Sequence, residues 1–286
     1  MAQIIVISVS SKMNNDYSKG VLYIALGEAY ALMALLSIKG LRSFSNVGIT
    51  IALNSRSLKL ASQFPKDVNI VQVGDDDSRF IKTLMYELSP YSQTLYIDCD
   101  TIIQESIDCI FLLLDHFDIA LKQRRIGFAG RGKGALQIFD GAQKVSDLPH
   151  WNSGVVLFKK NNLTQALFNE WHLLQVKLGY KLDQPALAEA LLKSSVRIVC
   201  LEDKWNLQDV SQVYSKSGVI LHYSSSINRE IRRQLCSMAK DISYEYLEIM
   251  NIFIKRKLAI RIEKDGKWGF LKRRIKWFYF DIKNLF

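Results

Sequence analysis

Asp98-Cys99-Asp100 follows directly on Thr94-Leu95-Tyr96-Ile97, a run of strand character. Carboxylates at i and i+2 project from the same side of an extended backbone. Mg²⁺ and Mn²⁺ take oxygen ligands and are commonly held by one or two carboxylates together with substrate phosphates. A strand that ends in Asp-x-Asp is therefore suited to a metal–diphosphate complex. Two acidic residues also simply mark a strand end and its turn, so the surrounding residues must decide between the readings.

The elements that would position the pair alternate between strand and helix. Ile4–Ser8 reads as a first core strand, Val21–Ile38 as a helix, Val47–Leu53 as a strand and Ser55–Gln63 as a short helix. Val68–Val73 reads as a strand and Ser78–Leu88 as a helix, and Ser89-Pro90 breaks the chain before the metal strand. Beyond the aspartates come a helical Ile107–His116, the strand Ile119–Lys122 and a glycine-rich loop from Gln123 to Leu148. The strand Val155–Lys159, helices over Leu163–Leu178 and Gln184–Lys193, and the strands Val196–Cys200 and Val219–His222 complete the body. Such alternation predicts an α/β fold with a mainly parallel sheet covered by helices on both faces. Ligands in these sheets bind outside the carboxyl ends of the strands, where Asp98 and Asp100 lie.

At 286 residues, with 49% hydrophobic and 23% charged residues, the chain fits one large domain plus an appendage. The apolar stretch Val21–Ile38 is about long enough to span a bilayer, but Glu28 near its middle favours a buried helix of a soluble domain. No C-x-x-C pair is present, and none of Cys99, Cys109, Cys200 and Cys236 has a close Cys or His partner. That spacing excludes a zinc site and predicts free, mostly buried thiols in a reducing, cytoplasmic setting. The N-terminus lacks the basic segment and cleavage site of a signal peptide.

Four further segments line up with the aspartates. Asn152-Ser153-Gly154 precedes a strand, Asp183-Gln184-Pro185 opens a helix, and Lys204-Trp205-Asn206-Leu207-Gln208 and Ile220-Leu221-His222-Tyr223 follow in turn. Taken with TLYIDCDTI, these resemble the GT-A glycosyltransferases, most closely the family 8 type that uses nucleoside-diphosphate sugars. The resemblance runs from about residue 3 to residue 225. It implies a GT-A domain over residues 1–227 and a C-terminal extension over residues 228–286.

The resemblance further implies that Asp98, Asp100 and His222 hold Mn²⁺ (or Mg²⁺), with the donor diphosphate completing the shell. It places Asn152, Ser153 and Gly154 beside the transferred sugar and Asp183 and Gln184 beside its anomeric carbon. Lys82 falls near a family arginine that contacts the donor, and Asn14 to Tyr17 fall where the base and ribose bind. Read as plain residues, His222 is also a core histidine, Asn152–Gly154 a turn, Asp183 a helix cap, Lys82 an exposed lysine and Asn14–Tyr17 a polar loop. The implied activity is metal-dependent transfer of a sugar, from a UDP-sugar above all, to a saccharide or lipid-linked acceptor, with retention of configuration. The sequence departs from the family after His222, where a Gly and Lys-Pro-Trp normally follow. Arg229, Arg232 and Arg233 are the candidates to replace that lysine.

Other classes fit less well. A nucleotidyltransferase would need a Gly-rich loop with Arg and Lys after the first strand, which Ser8 to Gly20 does not provide. A nucleic-acid- or membrane-binding protein built on an inactive GT-A domain is the alternative, suggested by the basic C-terminus. The net charge is +10, and from Arg229 to Phe286 there are 15 Lys/Arg against 7 Asp/Glu, so +8 lies in the last fifth. Trp268, Leu271, Ile275, Phe278, Ile282 and Leu285 recur at helical spacing, with Lys272, Arg273, Lys276 and Lys283 mostly off that stripe. Trp and Tyr there would allow base stacking, but nucleic-acid binding leaves the metal constellation unexplained. A basic, aromatic-rich amphipathic helix instead suits an anionic membrane interface, and a peripheral place on the inner face of a membrane. Deleting residues 266–286 is expected to weaken binding to anionic liposomes in a sedimentation assay, and high salt to abolish it. Binding unchanged by the deletion would count against the anchor.

Overall fold

The computed structural model describes residues 7–8, 18–75, 78–124, 149–178, 183–208, 218–223, 226–238, 250 and 252–254. Strands β1 (Ile7–Ser8), β2 (Lys19–Ala25), β3 (Gly48–Leu53), β4 (Val68–Gln72) and β5 (Gln93–Ile97) precede the aspartates, and β6 (Thr101–Ile103) follows them. Next come β7 (Ile119–Gln123), β8 (Trp151–Lys159), β9 (Ile198–Cys200) and β10 (Ile220–His222). The helices are α1 (Glu28–Arg42), α2 (Ser55–Leu58), α3 (Ser78–Thr83), α4 (Met85–Leu88), α5 (Asn162–Leu178), α6 (Asp183–Lys193) and α7 (Ser226–Met238), with a 3₁₀ helix over Asp108–Asp115. Eight strands form one sheet in the order β1-β4-β3-β2-β5-β8-β7-β9, and β10 pairs with β6 in a separate ribbon. The block β4-β3-β2-β5 is parallel, whereas β8 runs antiparallel to both β5 and β7. The chain is thus α/β, with helices on both faces of the sheet.

The first strand of the parallel block is β2, within the stretch expected to be helical. Val21–Ala25 is β-strand, and α1 begins only at Glu28. The reason is visible in the packing. Val21, Tyr23 and Ala25 join the core on one face with α1, while Leu22 and Ile24 join the core on the other. A strand buried on both faces shows no polar alternation, so its apolar residues run on into those of the helix. Gly27, at φ 99°, makes the break between them, in a region that side chains other than glycine rarely occupy. Ser78–Leu88 is likewise two short helices, and Ile7–Ser8 is an edge pair antiparallel to β4 rather than the central strand. Of the cysteines only Cys99 is buried; Cys109, Cys200 and Cys236 are free but exposed, because they fall outside the two cores.

The core continues past residue 227. Ile231 and Leu235 of α7, and Met250 and Ile254 beyond it, belong to the same buried cluster as α1 and β2. The amphipathic segment over 266–286 lies outside the described residues. Among the described residues no helix is long and apolar enough to cross a membrane.

One buried carboxylate ties three strands together. Asp118, 1% exposed at the start of β7, accepts hydrogen bonds from the Arg197 backbone N–H (2.9 Å) and guanidinium (3.2 Å) and from Asn161 Nδ2 (3.1 Å). These bonds, those from Arg197 foremost, hold its pKa below the usual carboxylate range. A depressed folded pKa contributes stability that is present above the unfolded value of about 3.9 and lost as pH falls toward the folded one. Asp118→Asn should therefore cost about 1–3 kcal/mol at neutral pH. Its urea midpoint should then fall less steeply below about pH 4 than that of the unsubstituted protein.

Candidate active site

Two strand registers assemble the site. In the β5–β8 pair Ile97 lies opposite Val155, and the Asp98 N–H continues the ladder to the Gly154 carbonyl at 2.7 Å. In the β6–β10 ribbon His222 lies opposite Thr101, and the Tyr223 N–H reaches the Asp100 carbonyl at 3.0 Å. Asp98, Asp100 and His222 thereby meet, with one ligand atom from each within 4.8 Å of the others. His222 Nε2 lies 3.2 Å from Asp100 Oδ1 and 3.9 Å from Asp98 Oδ2. Asn152, Ser153 and Gly154 are part of β8 rather than a turn before it, because the β7–β8 pairing continues past a register shift to Trp151. Glycine is required there by space: a Cβ at Gly154 would sit 2.4 Å from His222 Cε1 and 2.8 Å from Asp98 Oδ2.

The histidine is oriented from behind. Its Nδ1 lies 3.0 Å from Asn206 Oδ1, and Asn206 Nδ2 donates to Asn152 Oδ1 at 2.8 Å. Asn152 Oδ1 also accepts from the Gly154 N–H at 2.8 Å. With Nδ1–H donating to Asn206, the Nε2 lone pair of neutral His222 points at the two carboxylates, the usual support for a metal-binding imidazole. Burial alone would lower the His222 pKa, but Asp100 and then Asp98 outweigh it and leave it raised. Burial pushes Asp100 the other way, yet His222 leaves its pKa lowered. The ring and Asp100 thus stabilise one another's charged forms, and a cation entering the set competes with the imidazole proton.

A lysine holds the acidic groups apart. Lys82 Nζ donates to Asp98 Oδ1 at 2.8 Å and lies 3.6 Å from Asp183 Oδ2. Burial disfavours its charge, but Asp98 and Asp183 more than offset this and raise its pKa. Tyr96 OH also donates to Asp98 Oδ1 (2.6 Å), leaving Oδ2 on the side of His222. Asp183 accepts from Ser153 Oγ at 2.5 Å, and its backbone carbonyl accepts from Trp171 Nε1 at 2.9 Å. Gln184 Oε1 accepts from Arg124 Nη1 at 2.7 Å.

A cleft of about 230 Å³ opens over these groups, lined by Lys82, Asp98, Asp100 and Asp183 together with Leu26, Tyr30 and Arg232. The expected site residues Asp98, Asp100, His222, Lys82, Ser153, Gly154 and Asp183 are thus adjacent. Asn152 turns to Asn206 and Gln184 to Arg124, while Asn14 and Tyr17 lie outside the described residues. Sequence reading missed Tyr30, Tyr96 and the bridging role of Asn206. Tyr30 follows the strand whose apolar run reads as helix, and Asn206 lies 54 residues from its partner Asn152, which no local spacing connects to it.

The donor set of two carboxylates and an imidazole, backed by a neutral amide and a Cβ-free strand position, fits a divalent ion. Mn²⁺ is expected to raise the melting temperature, and the rise should shrink as pH is lowered from about 8 to 6, since ligation requires neutral His222 with a raised pKa. Gly154→Ala should remove the Mn²⁺ response and destabilise the protein by about 1–3 kcal/mol through overpacking. An unchanged Mn²⁺ response in that variant would show that the ion binds elsewhere.

No family model matches the sequence, and no curated protein matches it. Solved structures do. The galactosyltransferase LgtC, in complex with donor and acceptor sugar analogues, superposes with a TM-score of 0.54 at 13% identity, covering 79% of this chain and 98% of LgtC. GlyE of Streptococcus pneumoniae TIGR4 gives 0.54 at 15% identity over 85% of this chain, and the bifunctional glycosyltransferase WbbM gives 0.53 at 14% over 86%. This chain matches 64% of the GlyE chain and 53% of the WbbM chain. The chain has the fold of the GT-A glycosyltransferases.

Proposed function

We propose that this protein transfers a sugar from a nucleoside-diphosphate sugar, a UDP-sugar above all, to a hydroxyl of a saccharide or lipid-linked acceptor, with retention at the anomeric carbon. The observation that carries the reading is the convergence of Asp98, Asp100 and His222 at the carboxyl end of β5, where the two aspartates line a cleft with Asp183. Those three residues would hold Mn²⁺ or Mg²⁺, which when bound supplies charge neutralisation for the departing nucleoside diphosphate.

The remaining groups bind and orient. Lys82 fixes the carboxylates of Asp98 and Asp183 and sets a buried positive charge beside the donor. Asp183, its geometry set by Ser153 and Trp171, accepts from sugar hydroxyls. Gln184, steadied by Arg124, lies on the sugar face opposite the leaving group. In the transfer the bond from the anomeric carbon to the diphosphate oxygen breaks and one to the acceptor oxygen forms on the same face. The acceptor proton passes to the leaving diphosphate. Proximity and fixed charge supply the acceleration, with no protein base required on that face.

A panel of nucleotide sugars tested with and without Mn²⁺ is expected to single out one donor, by thermal shift and by slow release of its nucleoside diphosphate. Asp100→Asn should lower that release on the order of 10²-fold or more, since metal stabilisation of the leaving group is worth several kcal/mol. Full activity in Asp100→Asn would refute the proposal.

A further inference from the structure

The charges lining the cleft are unevenly matched. Asp98, Asp100 and Asp183 lie together with Lys82 bonded among them, so that lysine is already committed to holding carboxylates. Arg232 lines the same cleft, and its described partner is not an acid. Its Nη1 donates to the phenol oxygen of Tyr30 at 2.9 Å, and the guanidinium lies 5.5 Å from the centre of that ring. A guanidinium carries five N–H donors in a planar fork suited to phosphate oxygens, and the Tyr30 bond engages a single nitrogen.

Both partners are held by buried neighbours. Tyr30 lies in the first turn of α1, whose next residues Ala31 to Ser37 are all buried. Arg232 stands on α7 between Ile231 and Leu235, which are 1% and 0% exposed. Arg229 and Arg233, on the same helix, are exposed and do not line the cleft. Helix α7 thus offers the cleft one of these three arginines, and that one rests against an aromatic face, which limits its freedom and reduces the entropy lost on binding.

We infer that Arg232, seated on Tyr30, grips the diphosphate of the donor in the cleft it shares with the aspartates. The inference rests on the sugar-nucleotide reading above. A diphosphate entering the cleft would meet both a cation held by the carboxylates and the guanidinium, so its charge would be balanced by two separate groups. The segment after residue 227 then belongs to the donor site and is not a detachable extension.

The test compares affinities in the presence of Mn²⁺ for whichever of UDP, GDP, ADP and CDP the unsubstituted protein binds, and for the matching nucleoside. Arg232→Gln is expected to weaken the diphosphate about ten- to a hundredfold and leave the nucleoside within about twofold, as for loss of a charge-assisted hydrogen bond. Arg232→Lys, which keeps the charge but not the fork, should recover part of that loss. Should Arg232→Gln fold poorly, Arg232→Lys decides alone: the inference requires a weakened diphosphate with an unchanged nucleoside. Equal loss for diphosphate and nucleoside, or a lowered melting temperature with unchanged diphosphate affinity, means that Arg232 only fastens α7 to α1. An unsubstituted protein that binds no nucleoside diphosphate overturns the sugar-nucleotide reading and this inference together.

Discussion

Lys82 is the constraint on which the site depends. Three carboxylates, Asp98, Asp100 and Asp183, border one small cleft, and like charges so placed raise the free energy of the folded state. A largely buried ammonium between Asp98 and Asp183 lowers that cost, and the two carboxylates offset its own desolvation and leave its pKa raised. The arrangement also does geometric work. By occupying Oδ1 of Asp98 together with Tyr96, it leaves Oδ2 toward His222. A neutral residue at position 82 would remove the ammonium that Asp98 and Asp183 share.

The frame supplies what Lys82 cannot. β5 is paired on one side by parallel β2 and on the other by antiparallel β8, so the residue after Ile97 is held by a ladder bond to β8 as well as by its own strand. That exactness of placement brings Gly154 under His222 and Asp98, where no side chain fits. The ribbon β6–β10 then returns a histidine from more than a hundred residues downstream to the side of Asp100. Each contact follows from strand register, and a slip of one residue would turn His222 to the opposite face.

How much of this is legible in the sequence depends on how local the signal is. The strand β5, β8, the Asp183 helix and the His222 strand are short, strongly marked segments, and each lies within a few residues of its expected place. The aspartates and histidine come together as the resemblance implied, because that match drew on motifs spread over the whole fold. The failure at Val21–Ala25 has a physical cause: burial on both faces erases the alternation that reveals a strand, and an adjoining buried helix extends the apolar run. Gly27 was the available signal, since a glycine at the junction of two apolar runs marks a break as readily as a helix interior. The Tyr30–Arg232 pair spans 202 residues, and no periodicity or spacing connects such positions.

The asparagine pair behind His222 bears on why the arrangement persists as a unit. Asn152 and Asn206 are both buried, and buried amides are costly unless their donors and acceptors are satisfied. Here each supports the other: Asn206 Nδ2 bonds Asn152 Oδ1, Asn152 Oδ1 holds the Gly154 N–H, and Asn206 Oδ1 receives the imidazole. The Asn206 carbonyl in turn accepts from Lys122 Nζ at 2.8 Å, which also pairs with Asp203. Removing one member would leave another buried polar group unpaired, so the network favours one imidazole tautomer and one ring orientation over the alternatives. Local polar specificity of this kind, rather than further hydrophobic burial, is what turns a common α/β frame into a site with a defined side-chain geometry.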